Sequence, residues 1–478
     1  MSAATLSNTS AAKAAPFTID RALAARLTGG RWLGRQEAVT VRGACIDSRQ
    51  VQPGSLFACL SGGSRDGHDF AATAVGDGAA LVLASRAIAV PVPVLLVADV
   101  GQALGQLATE FRRLARGTTW IGVTGSNGKT TVKELIASAC AEAGPVHATH
   151  GNLNNHLGVP LTILATPADT TVAVIEMGAN HAGEIGALAA MASPSIGVIT
   201  SIGPAHLEGF GSLMGVARAK SELFAALPPD GLAVLGLHGL EHACATVGEQ
   251  PERIIAEVHR IASGRRLVLV GGAGEPLPGR LAEAGIEIET PAGVALVPLL
   301  GEHNLANAAI AFQAACAAGV APAAALRGLA QAAPVPGRLC PRRCGGHLIL
   351  DDSYNANPAS MVAGLRLLSR YPGRRLAVRG HMAELGAQSE AGHRLVGAEA
   401  ARLQLSLVAV DAQTQALFES YRSHGGDDGV HARSRDEALA LITHRLAVGA
   451  TTVLVKGSRS AGLEWIVEHL VSGGRVAP

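Results

Sequence analysis

TTWIGVTGSNGKTT, at residues 118–131, joins an apolar strand to a helix through a glycine-rich turn. Residues 120–124 have the length and apolarity of a buried strand, and residues 129–143 follow with helical spacing. A turn in this setting points backbone N–H groups and the positive end of a helix at an anion. Lys129 can reach outer phosphates and the Thr130 hydroxyl can bind Mg²⁺, so the stretch predicts a phosphate-binding loop of the form T-G-x-x-G-K-T. A tight turn without a ligand is the plain alternative.

The alternation of apolar strands and helices continues on both sides of a proline-rich linker at 334–337. Before the linker, the pattern predicts strands at 172–175, 196–200, 232–235 and 267–270, and an alanine-rich helix at 304–318. After the linker, it predicts strands at 347–350, 376–378, 407–410 and 451–455, and helices at 358–368, 389–403 and 463–470. Such alternation is typical of mostly parallel sheets covered by helices.

We therefore predict an α/β protein with three domains. A small mixed α/β domain covers 16–116, a central domain of the P-loop ATPase type with a mostly parallel sheet covers 117–333, and a Rossmann-like domain covers 334–478. Residues 1–15 are rich in Ala, Ser, Thr and Asn and are predicted to form a flexible tail. The tail has no apolar core, which a signal peptide would need.

Composition narrows the functional class. The formal net charge of +1 argues against a broad basic surface, so neither nucleic acid nor anionic membrane is expected as a partner. Seven scattered cysteines, an odd number, fit a reduced compartment. The apolar run at 81–97 is broken by Arg86, Pro91 and Pro93, and does not resemble a membrane span. We expect a cytoplasmic monomer.

Lysine is rare in this chain. Only five lysines stand among the 39 basic residues, and arginine supplies the rest. An ammonium group can lose its proton and react with CO₂, whereas a guanidinium at neutral pH effectively cannot. Lys220 lies on a predicted helix with Arg218 two residues away, so it is a candidate for a role that arginine cannot fill. A solvated surface lysine is the alternative.

Two further polar residues follow predicted strands. Glu176 ends the strand at 172–175, and His206 lies shortly after the strand at 196–200. The carboxyl ends of parallel strands face the ligand crevice, and Mg²⁺ prefers carboxylate oxygens together with water and phosphate. Both residues are therefore candidates for a metal site, with a surface acid and a structural histidine as the ordinary alternatives.

These features occur among motifs that together resemble the Mur ligase family, from about residue 47 to about residue 464. In chain order the motifs are DSR at 47–49, DGH at 66–68, the phosphate loop, GNLNN at 151–155, EMGANH at 176–181, AHLEGFG at 205–211, AKSE at 219–222, GEHNLAN at 301–307, PGR at 336–338, DDSYNANP at 351–358, MAELG at 382–386 and KGSRS at 456–460. GNLNN, DDSYNAN, MAELG and KGSRS resemble the branch that adds D-alanyl-D-alanine. The branch that adds the third peptide residue carries DNPR and a KGHE ending, and the sequence contains neither.

The resemblance implies an enzyme that uses ATP, two Mg²⁺ ions and a carbamylated Lys220 to join D-alanyl-D-alanine to UDP-N-acetylmuramoyl-tripeptide, a precursor of peptidoglycan. The implied catalytic residues are Lys129, Asn152, Glu176, His206 and Lys220, and the implied metal residues are Thr130, Glu176, His206 and Lys220. The implied ATP-binding residues are Gly125, Ser126, Asn127, Gly128, Lys129, Thr130, Thr131, Asn304, Asn307, Arg338 and Asp352. The implied substrate-binding residues are Ser48, Arg49, Asp66, His68, Asn154, Asn155, Tyr354 and Asn355.

The implied reaction converts the tripeptide carboxylate into an acyl phosphate, which the dipeptide amine attacks. This chemistry requires no Ser or Cys nucleophile, and the sequence displays no Ser–His or Cys–His motif. One position departs from the family pattern, because GHM at 380–382 stands where the family usually has Gly-Asp-Met. The role of His381 is therefore open.

Other readings stay open beside this one. A sister ligase, either the tripeptide-forming enzyme or a folate polyglutamate ligase, is opposed by the motifs at 47–49 and 66–68 and by the missing DNPR. An ATP-binding regulator without ligase activity would be expected to have lost some of the candidate catalytic residues. A small-molecule kinase would need no second, amine substrate.

Overall fold

A computed structural model describes residues 14–34, 38–62, 65–272 and 278–473. Most of the predicted tail, residues 1–13, lies outside the described residues. By its internal packing the chain forms two compact units. The first contains the described residues up to 202 together with 217–272 and 310–328, and the second contains 203–216, 278–309 and 329–473. The domain boundaries at 116 and 333 stay predictions.

The first unit begins with a small mixed region. Its elements are β1 (Pro16–Ile19), α1 (Arg21–Thr28), β2 (Arg31–Leu33), β3 (Val39–Arg42), β4 (Ala44–Cys45), β5 (Leu56–Ala58), α2 (Ala71–Gly76), β6 (Leu81–Ala84), β7 (Val94–Leu96) and α3 (Val100–Leu114). Strands β1 and β3 form an antiparallel ribbon, and the order β2-β7-β6-β5-β4 forms a sheet in which only β2 is antiparallel to its neighbour. Ala14, at the end of the predicted tail, is buried and pairs with Pro167.

The central sheet has the strand order β13-β12-β11-β8-β10-β9, and all its strands are parallel. This part of the chain contains β8 (Thr119–Thr124), α4 (Lys129–Ala141), β9 (Val146–Ala148), α5 (Gly158–Leu164), β10 (Val172–Glu176), α6 (Glu184–Ala192), β11 (Ile196–Ile199), α7 (Leu207–Phe210), α8 (Leu213–Ala225), β12 (Leu232–Gly236), α9 (Leu240–Val247), α10 (Pro251–Ile261) and β13 (Arg266–Val270). Helix α7 and the first residues of α8 belong to the second unit. The predicted strands are confirmed. The connections on the two sides of β8 run in opposite directions, which makes its carboxyl end a switch point where ligands bind.

Arg112 connects the mixed region to the central sheet. It lies on α3 and donates hydrogen bonds from Nε to the carbonyl of Ala192 at 2.7 Å and from Nη2 to the carbonyl of Ser193 at 2.8 Å. These carbonyls terminate α6, where a positive charge is favourable. The same guanidinium covers the ring of Trp120 on β8 at 4.7 Å, so one side chain contacts both layers.

The second unit contains two sheets. Its strands are β14 (Gly279–Ala282), β15 (Gly285–Thr290), β16 (Gly293–Val297), β17 (Cys340–Cys344), β18 (His347–Asp352), β19 (Arg374–Arg379), β20 (Ser406–Val410), β21 (Gly429–Ala432) and β22 (Thr451–Lys456). The remaining helices of the chain are α11 (Glu302–Ala317), α12 (Pro322–Ala330), α13 (Pro358–Ser369), α14 (Ser389–Arg402), α15 (Gln415–Ser423), α16 (Arg435–Leu446) and α17 (Glu464–Ser472). Strands β14–β16 form an antiparallel sheet that was not predicted from the sequence. The order β17-β18-β22-β19-β20-β21 forms a parallel sheet with one antiparallel edge strand, β17.

The parallel sheet of the second unit is buried on both faces. Leu407 and Leu454 enter one hydrophobic core, whereas their neighbours Val408 and Val453 enter the core on the opposite face. Successive side chains of a strand point to opposite faces, so a strand covered by helices on both sides must be apolar at every position. This explains why continuous apolar runs predicted these strands correctly.

Replacing Leu407 by Ala should lower the free energy of unfolding by about 2–5 kcal/mol, because the substitution leaves a cavity in a closed core. The matched control is Leu395→Ala on α14, whose side chain is 47% exposed and should change stability by less than about 0.5 kcal/mol. Urea unfolding of the two variants and the parent protein measures the difference. Equal losses at both positions would contradict the assignment of Leu407 to this core.

Candidate active site

The phosphate loop has the backbone that its glycines predict. Gly125 has a φ of +154°, and a Cβ at this position would lie 1.9 Å from the Thr200 hydroxyl oxygen. Gly128 has a φ of +81° and starts α4 in the left-handed conformation. Lys129 Nζ donates a hydrogen bond to the Gly125 carbonyl at 2.8 Å, which folds the lysine back over the loop. The loop therefore has the form of an anion cradle.

Two residues after β11 hold this loop in place. The Ser201 hydroxyl accepts a hydrogen bond from the Asn127 N–H at 3.0 Å, and the Ser201 carbonyl accepts one from the Ser126 N–H at 2.9 Å. The Thr200 hydroxyl donates to the Asn127 carbonyl at 2.5 Å. Neither residue was predicted as part of the site, although Thr200 ends the predicted strand at 196–200 and Ser201 directly follows it.

Glu176 lies at the carboxyl end of β10, beside β8, and is 2% exposed. Asn154 Nδ2 donates a hydrogen bond to its Oε1 at 2.8 Å, so the structure brings together a predicted substrate residue and a predicted metal residue. The other carboxylate oxygen, Oε2, is buried and has no hydrogen-bond partner among the described residues. A buried oxygen of this kind is costly unless a cation or another donor reaches it.

Thr130 and Glu176 supply oxygen atoms of the kind that magnesium prefers. Thr130 lies in the first turn of α4, is buried, and supplies a hydroxyl oxygen. No group of three or more His, Cys, Asp or Glu side chains that could hold a metal ion occurs among the described residues. Mg²⁺ commonly takes one or two protein oxygens and completes its shell with phosphate and water, so Thr130 and Glu176 suit this ion.

Lys220 lies on α8 in the first unit and is 2% exposed. Burial and the nearby charge of Lys129 lower the pKa of the Lys220 ammonium to about 7. Glu222, on the same helix, accepts hydrogen bonds from the N–H groups of Gly183 at 2.7 Å and Gly186 at 2.8 Å, which anchors α8 to the start of α6. The lowered pKa favours the neutral form of the Lys220 amine.

The other asparagines of GNLNN have different surroundings. Asn155 Oδ1 accepts hydrogen bonds from the N–H group of Leu157 at 3.1 Å, just before α5, and from that of Gly158, its first residue, at 2.9 Å. Asn152 is exposed, and its carbonyl accepts a hydrogen bond from the Asn154 N–H. The Asn155 side chain therefore has hydrogen-bond partners within the fold. The catalytic role of Asn152 stays a prediction.

The four predicted substrate residues of the N-terminal region divide into two groups. His68 is buried, with Nδ1 2.5 Å from Asp66 Oδ1, and its Nε2 accepts a hydrogen bond from the Ser85 N–H at 3.0 Å. Both ring nitrogens therefore serve the fold. Hydrogen bonds from His68 hold the pKa of the Asp66 carboxyl at about 2. Arg49 is exposed and bonded to Asp47, in a short turn that also contains predicted residue Ser48.

His206 belongs to the second unit and precedes α7. Its φ of +51° is uncommon for a non-glycine residue, and its Nδ1 lies 3.1 Å from Glu384 Oε2. Glu384 itself has a φ of +61°. Two left-handed residues from distant segments thus form an ion pair when the histidine is protonated. Glu384 was not predicted, although the motif at 382–386 contains it.

The predicted ATP-binding asparagines of α11 contact each other. Asn307 Nδ2 donates a hydrogen bond to Asn304 Oδ1 at 2.8 Å, and Asn304 Nδ2 donates to the Leu300 carbonyl at 2.7 Å. Both asparagines are buried in the first turns of the helix. The hydrogen bonds fix the orientation of the two side chains relative to each other.

The other second-unit candidates meet at the carboxyl ends of β18 and β22. Arg338 covers the ring of Tyr354 at 4.4 Å. Asp352 Oδ2 lies 2.8 Å from Lys456 Nζ, which also donates to the Asn355 carbonyl at 2.9 Å. Burial lowers the pKa of Lys456, and the charge of Asp352 opposes this shift. Lys456 was absent from the predicted set, although the scarcity of lysine could have indicated it.

Three family models match the chain in order. They are "Mur ligase family, catalytic domain" at residues 40–112, "Mur ligase middle domain" at 123–256 and "Mur ligase, glutamate ligase domain" at 337–459. The UDP-N-acetylmuramoyl-tripeptide--D-alanyl-D-alanine ligase of Escherichia coli K12 is 36% identical over 91% of this chain and 95% of its own length. The chain belongs to the Mur ligase family.

Solved structures agree with this assignment of the Mur ligase fold. MurF from Acinetobacter baumannii superposes with a TM-score of 0.83 at 31% identity, over 96% of this chain and 100% of that one. MurF ligase from Thermotoga maritima in complex with ADP gives a TM-score of 0.76 at 26% identity, over 91% and 98% of the two chains. This Mur ligase is an enzyme that forms carbon–nitrogen bonds with ATP. None of its described helices is long and apolar enough to cross a membrane.

A serine and a histidine that form no sequence motif meet in this Mur ligase. His381 Nε2 lies 2.8 Å from the Ser460 hydroxyl oxygen. His381 Nδ1 lies 2.8 Å from Asp411 Oδ2. The three residues follow three neighbouring strands, β22, β19 and β20, but are far apart in the sequence. No short sequence motif could therefore reveal them.

The lowered pKa of Lys220 predicts a pH-dependent effect on stability. Below about pH 7 the buried Lys220 amine is protonated, and the cost of burying this charge lowers the free energy of unfolding by its full amount. This cost disappears as pH rises from about 7 to 10.5, the ordinary pKa of lysine. Lys220→Met should therefore stabilise the protein most near pH 6, and the gain should shrink by pH 9. Thermal unfolding in CO₂-depleted buffer measures this trend.

The control for that experiment is Arg218→Met on the same helix. Arg218 is exposed and paired with Glu257 at 2.7 Å, and its guanidinium stays charged throughout this pH range. Its substitution should produce little change in stability and no trend with pH. A pH-independent difference between Lys220→Met and the parent protein would contradict the lowered pKa.

Proposed function

We propose that this Mur ligase joins D-alanyl-D-alanine to UDP-N-acetylmuramoyl-tripeptide in the cytoplasm, with ATP hydrolysed to ADP and phosphate. The observation that carries the proposal is the 36% identity to an enzyme of that name across 91% of the chain. The buried Glu176 and Lys220 beside an intact phosphate loop support it, because a protein that had lost the activity would have no reason to retain two costly buried ionisable groups.

The first chemical step transfers the γ-phosphate of ATP to the tripeptide carboxylate. A carboxylate is a poor electrophile, and the acyl phosphate that forms has a good leaving group. Phosphoryl transfer needs positioning and charge neutralisation more than covalent help from the protein. The backbone N–H groups of the loop and the Lys129 ammonium supply both at the carboxyl end of β8.

Magnesium would be held in the first unit by Thr130 and Glu176, where it would neutralise phosphate charge. A second ion would require another anionic ligand, and we propose that Lys220 provides it as a carbamate. The neutral amine forms an N–C bond with CO₂ and releases one proton, which converts a potential cation into an anion. Burial and Lys129 favour the neutral amine that this reaction needs. The predicted roles of His206, Asn304, Asn307, Arg338 and Asp352 remain part of the proposal.

In the second step the dipeptide amine attacks the acyl phosphate. A tetrahedral intermediate forms, the attacking nitrogen gives up one proton, phosphate leaves with the electron pair of the broken C–O bond, and the amide remains. Water must be excluded, because it would hydrolyse the acyl phosphate. This step uses an amine as the nucleophile, which distinguishes the proposal from a small-molecule kinase.

A phosphate-release assay with mass spectrometry tests the function. With ATP, Mg²⁺, UDP-N-acetylmuramoyl-tripeptide and D-alanyl-D-alanine, we expect release that requires both substrates and a product heavier by the dipeptide minus water. Tripeptides with diaminopimelate or lysine at the third position should be tested in parallel. A stable phosphorylated product without need for an amine would indicate a kinase, and activity only on a dipeptide precursor plus one amino acid would indicate a sister ligase.

Lys220→Ala should lose most of the ligase activity, because it removes the proposed anionic ligand. Short carboxylates such as acetate or propionate should restore part of the activity by occupying the space of the carbamate. Lys129→Ala is the matched control, since its lost cation cannot be replaced by a carboxylate and no rescue is expected. Full activity of Lys220→Ala without additive would rule out the carbamate.

A further inference from the structure

His381 connects two polar residues at one edge of the second-unit sheet. Its Nδ1 lies 2.8 Å from Asp411 Oδ2 after β20, and its Nε2 lies 2.8 Å from Ser460 Oγ after β22. Ser458 Oγ is 3.1 Å from Ser460 Oγ. Strands β22, β19 and β20 are adjacent and parallel, so their carboxyl ends meet where α/β sheets bind ligands.

Two glycines allow these segments to come together. A Cβ at Gly380 would lie 2.9 Å from Ala461 Cβ, and one at Gly457 would lie 3.1 Å from the same atom. The backbones therefore approach more closely than larger residues would permit. The Ser458 N–H donates to the His381 carbonyl at 2.9 Å, which sets the register of the two loops.

The hydrogen-bond chain has a defined polarity. The Asp411 carboxylate can only accept, so the neutral imidazole of His381 carries its proton on Nδ1 and exposes a lone pair at Nε2. Ser460 must then donate its hydroxyl proton to Nε2 and can only accept in its contact with Ser458 Oγ at 3.1 Å, which leaves one lone pair of Ser460 for a ligand. The opposite tautomer would place two acceptors against each other at 2.8 Å.

Asp411 is itself held firmly. Its Oδ1 accepts a hydrogen bond from the Gln413 N–H at 2.9 Å, and its carbonyl oxygen lies 2.7 Å from His431 Nε2. Its φ of +75° is rare for a residue other than glycine, and such strain persists where the surroundings enforce it. The surroundings of Asp411 therefore fix the hydrogen bond that His381 Nδ1 donates to its carboxylate.

Ser460 is the most exposed member of this hydrogen-bond chain, and the Asp411 side chain is 30% exposed. His381 is 7% exposed and Ser458 is buried, whereas Ser460 is exposed. The Ser460 hydroxyl proton is already donated to His381 Nε2, so the exposed Ser460 oxygen can only accept a hydrogen bond from a ligand. Its natural partner is an N–H donor such as a primary amine or ammonium group.

We propose that Ser460 accepts a hydrogen bond from the primary amine of the incoming dipeptide, and that His381 and Asp411 are positioning residues that orient its hydroxyl. This inference rests on the proposed function, which supplies an amine co-substrate. The neighbouring Arg459 is paired with Glu464 Oε1 at 3.1 Å, which reduces its repulsion of a bound ammonium.

The proposal also explains the departure at position 381. An aspartate there, as the family usually has, could accept the Ser460 proton directly. A histidine can do the same only in the tautomer that a second acid enforces, and Asp411 is that acid. Ser460 therefore still donates its hydroxyl proton to the residue at position 381, although a histidine stands there instead of the usual aspartate.

The test compares steady-state kinetics of four variants of the full-length enzyme. Ser460→Ala should raise the KM for D-alanyl-D-alanine about tenfold or more, with the KM for ATP unchanged, because one hydrogen bond to a charged group is lost. His381→Asn keeps a donor towards Asp411 but loses the Nε2 acceptor, so it should raise the same KM about three- to tenfold. Ser460→Thr retains the hydroxyl and should stay within about threefold of the parent. Ser423→Ala, an exposed serine on α15, is the control.

A binding measurement separates amine recognition from general damage. Isothermal titration with a desamino analogue of the dipeptide, in the presence of a non-hydrolysable ATP analogue and the tripeptide substrate, should give the same affinity for the parent and Ser460→Ala. The dipeptide itself should bind the variant about tenfold more weakly. Equal losses for both ligands, or a dipeptide KM within twofold of the parent in Ser460→Ala, would overturn the assignment.

The two proposals fail in different ways. If the parent enzyme releases no phosphate in response to D-alanyl-D-alanine, the proposed function is wrong. If the parent enzyme is active and Ser460→Ala and His381→Asn keep its dipeptide KM, the function stands and the role of Ser460 is wrong.

Discussion

A parallel strand covered on both faces can present a polar side chain to a ligand only where it ends. Strands such as β8, β10, β19 and β22 are buried along almost their whole length, because helices pack against both sides of each sheet. Carboxyl ends of neighbouring strands meet at one edge, where backbone N–H groups of the following helices also point. Several polar candidate residues of this enzyme therefore lie directly after strands, whereas Lys220 lies within a helix.

The two units use this constraint for different chemistry. In the first unit the edge collects Lys129, Thr130 and Glu176, a set suited to phosphate and a hard cation. In the second unit the corresponding edge collects Lys456, His381 and Ser460, which are linked by hydrogen bonds to the acids Asp352 and Asp411. This set is suited to orienting polar groups of a substrate.

Function at these edges has a cost in stability. Glu176 keeps one buried carboxylate oxygen without a partner in the described part of the chain, and Lys220 keeps an amine buried beside another cation. Either group would be replaced at little structural cost by an apolar side chain of similar size. Their presence is understandable if a cation reaches Glu176 and if CO₂ converts Lys220 into an anionic carbamate that pairs with a cation, because each buried group then has a partner of opposite charge.

Local signals made much of the fold and part of the site predictable. The loop at 125–131 combines glycines, lysine and threonine in one segment, and Lys220 stood out because arginine elsewhere replaces lysine. Strands in the parallel sheets were predicted because their apolar runs are continuous. By contrast, β14–β16 were missed, although β15 alternates apolar and polar residues and Pro291 and Gly293 mark a turn at the start of β16. Thr200 and Ser201 were missed because small hydroxyl residues carry no signal of their own.

The histidine at 381 shows most clearly where prediction from sequence stops. The sequence around His381 shows only that the acidic residue usual in the family is missing. The compensating Asp411 lies 30 residues away in the sequence, and the Ser460 hydroxyl that His381 orients lies 79 residues away. A hydrogen bond constrains the polarity of the groups that it joins but not the residue types that supply them. The same acceptor can therefore come from one carboxylate or from an imidazole backed by a carboxylate. Only the adjacency of β22, β19 and β20, which no local pattern encodes, reveals that the two arrangements are equivalent.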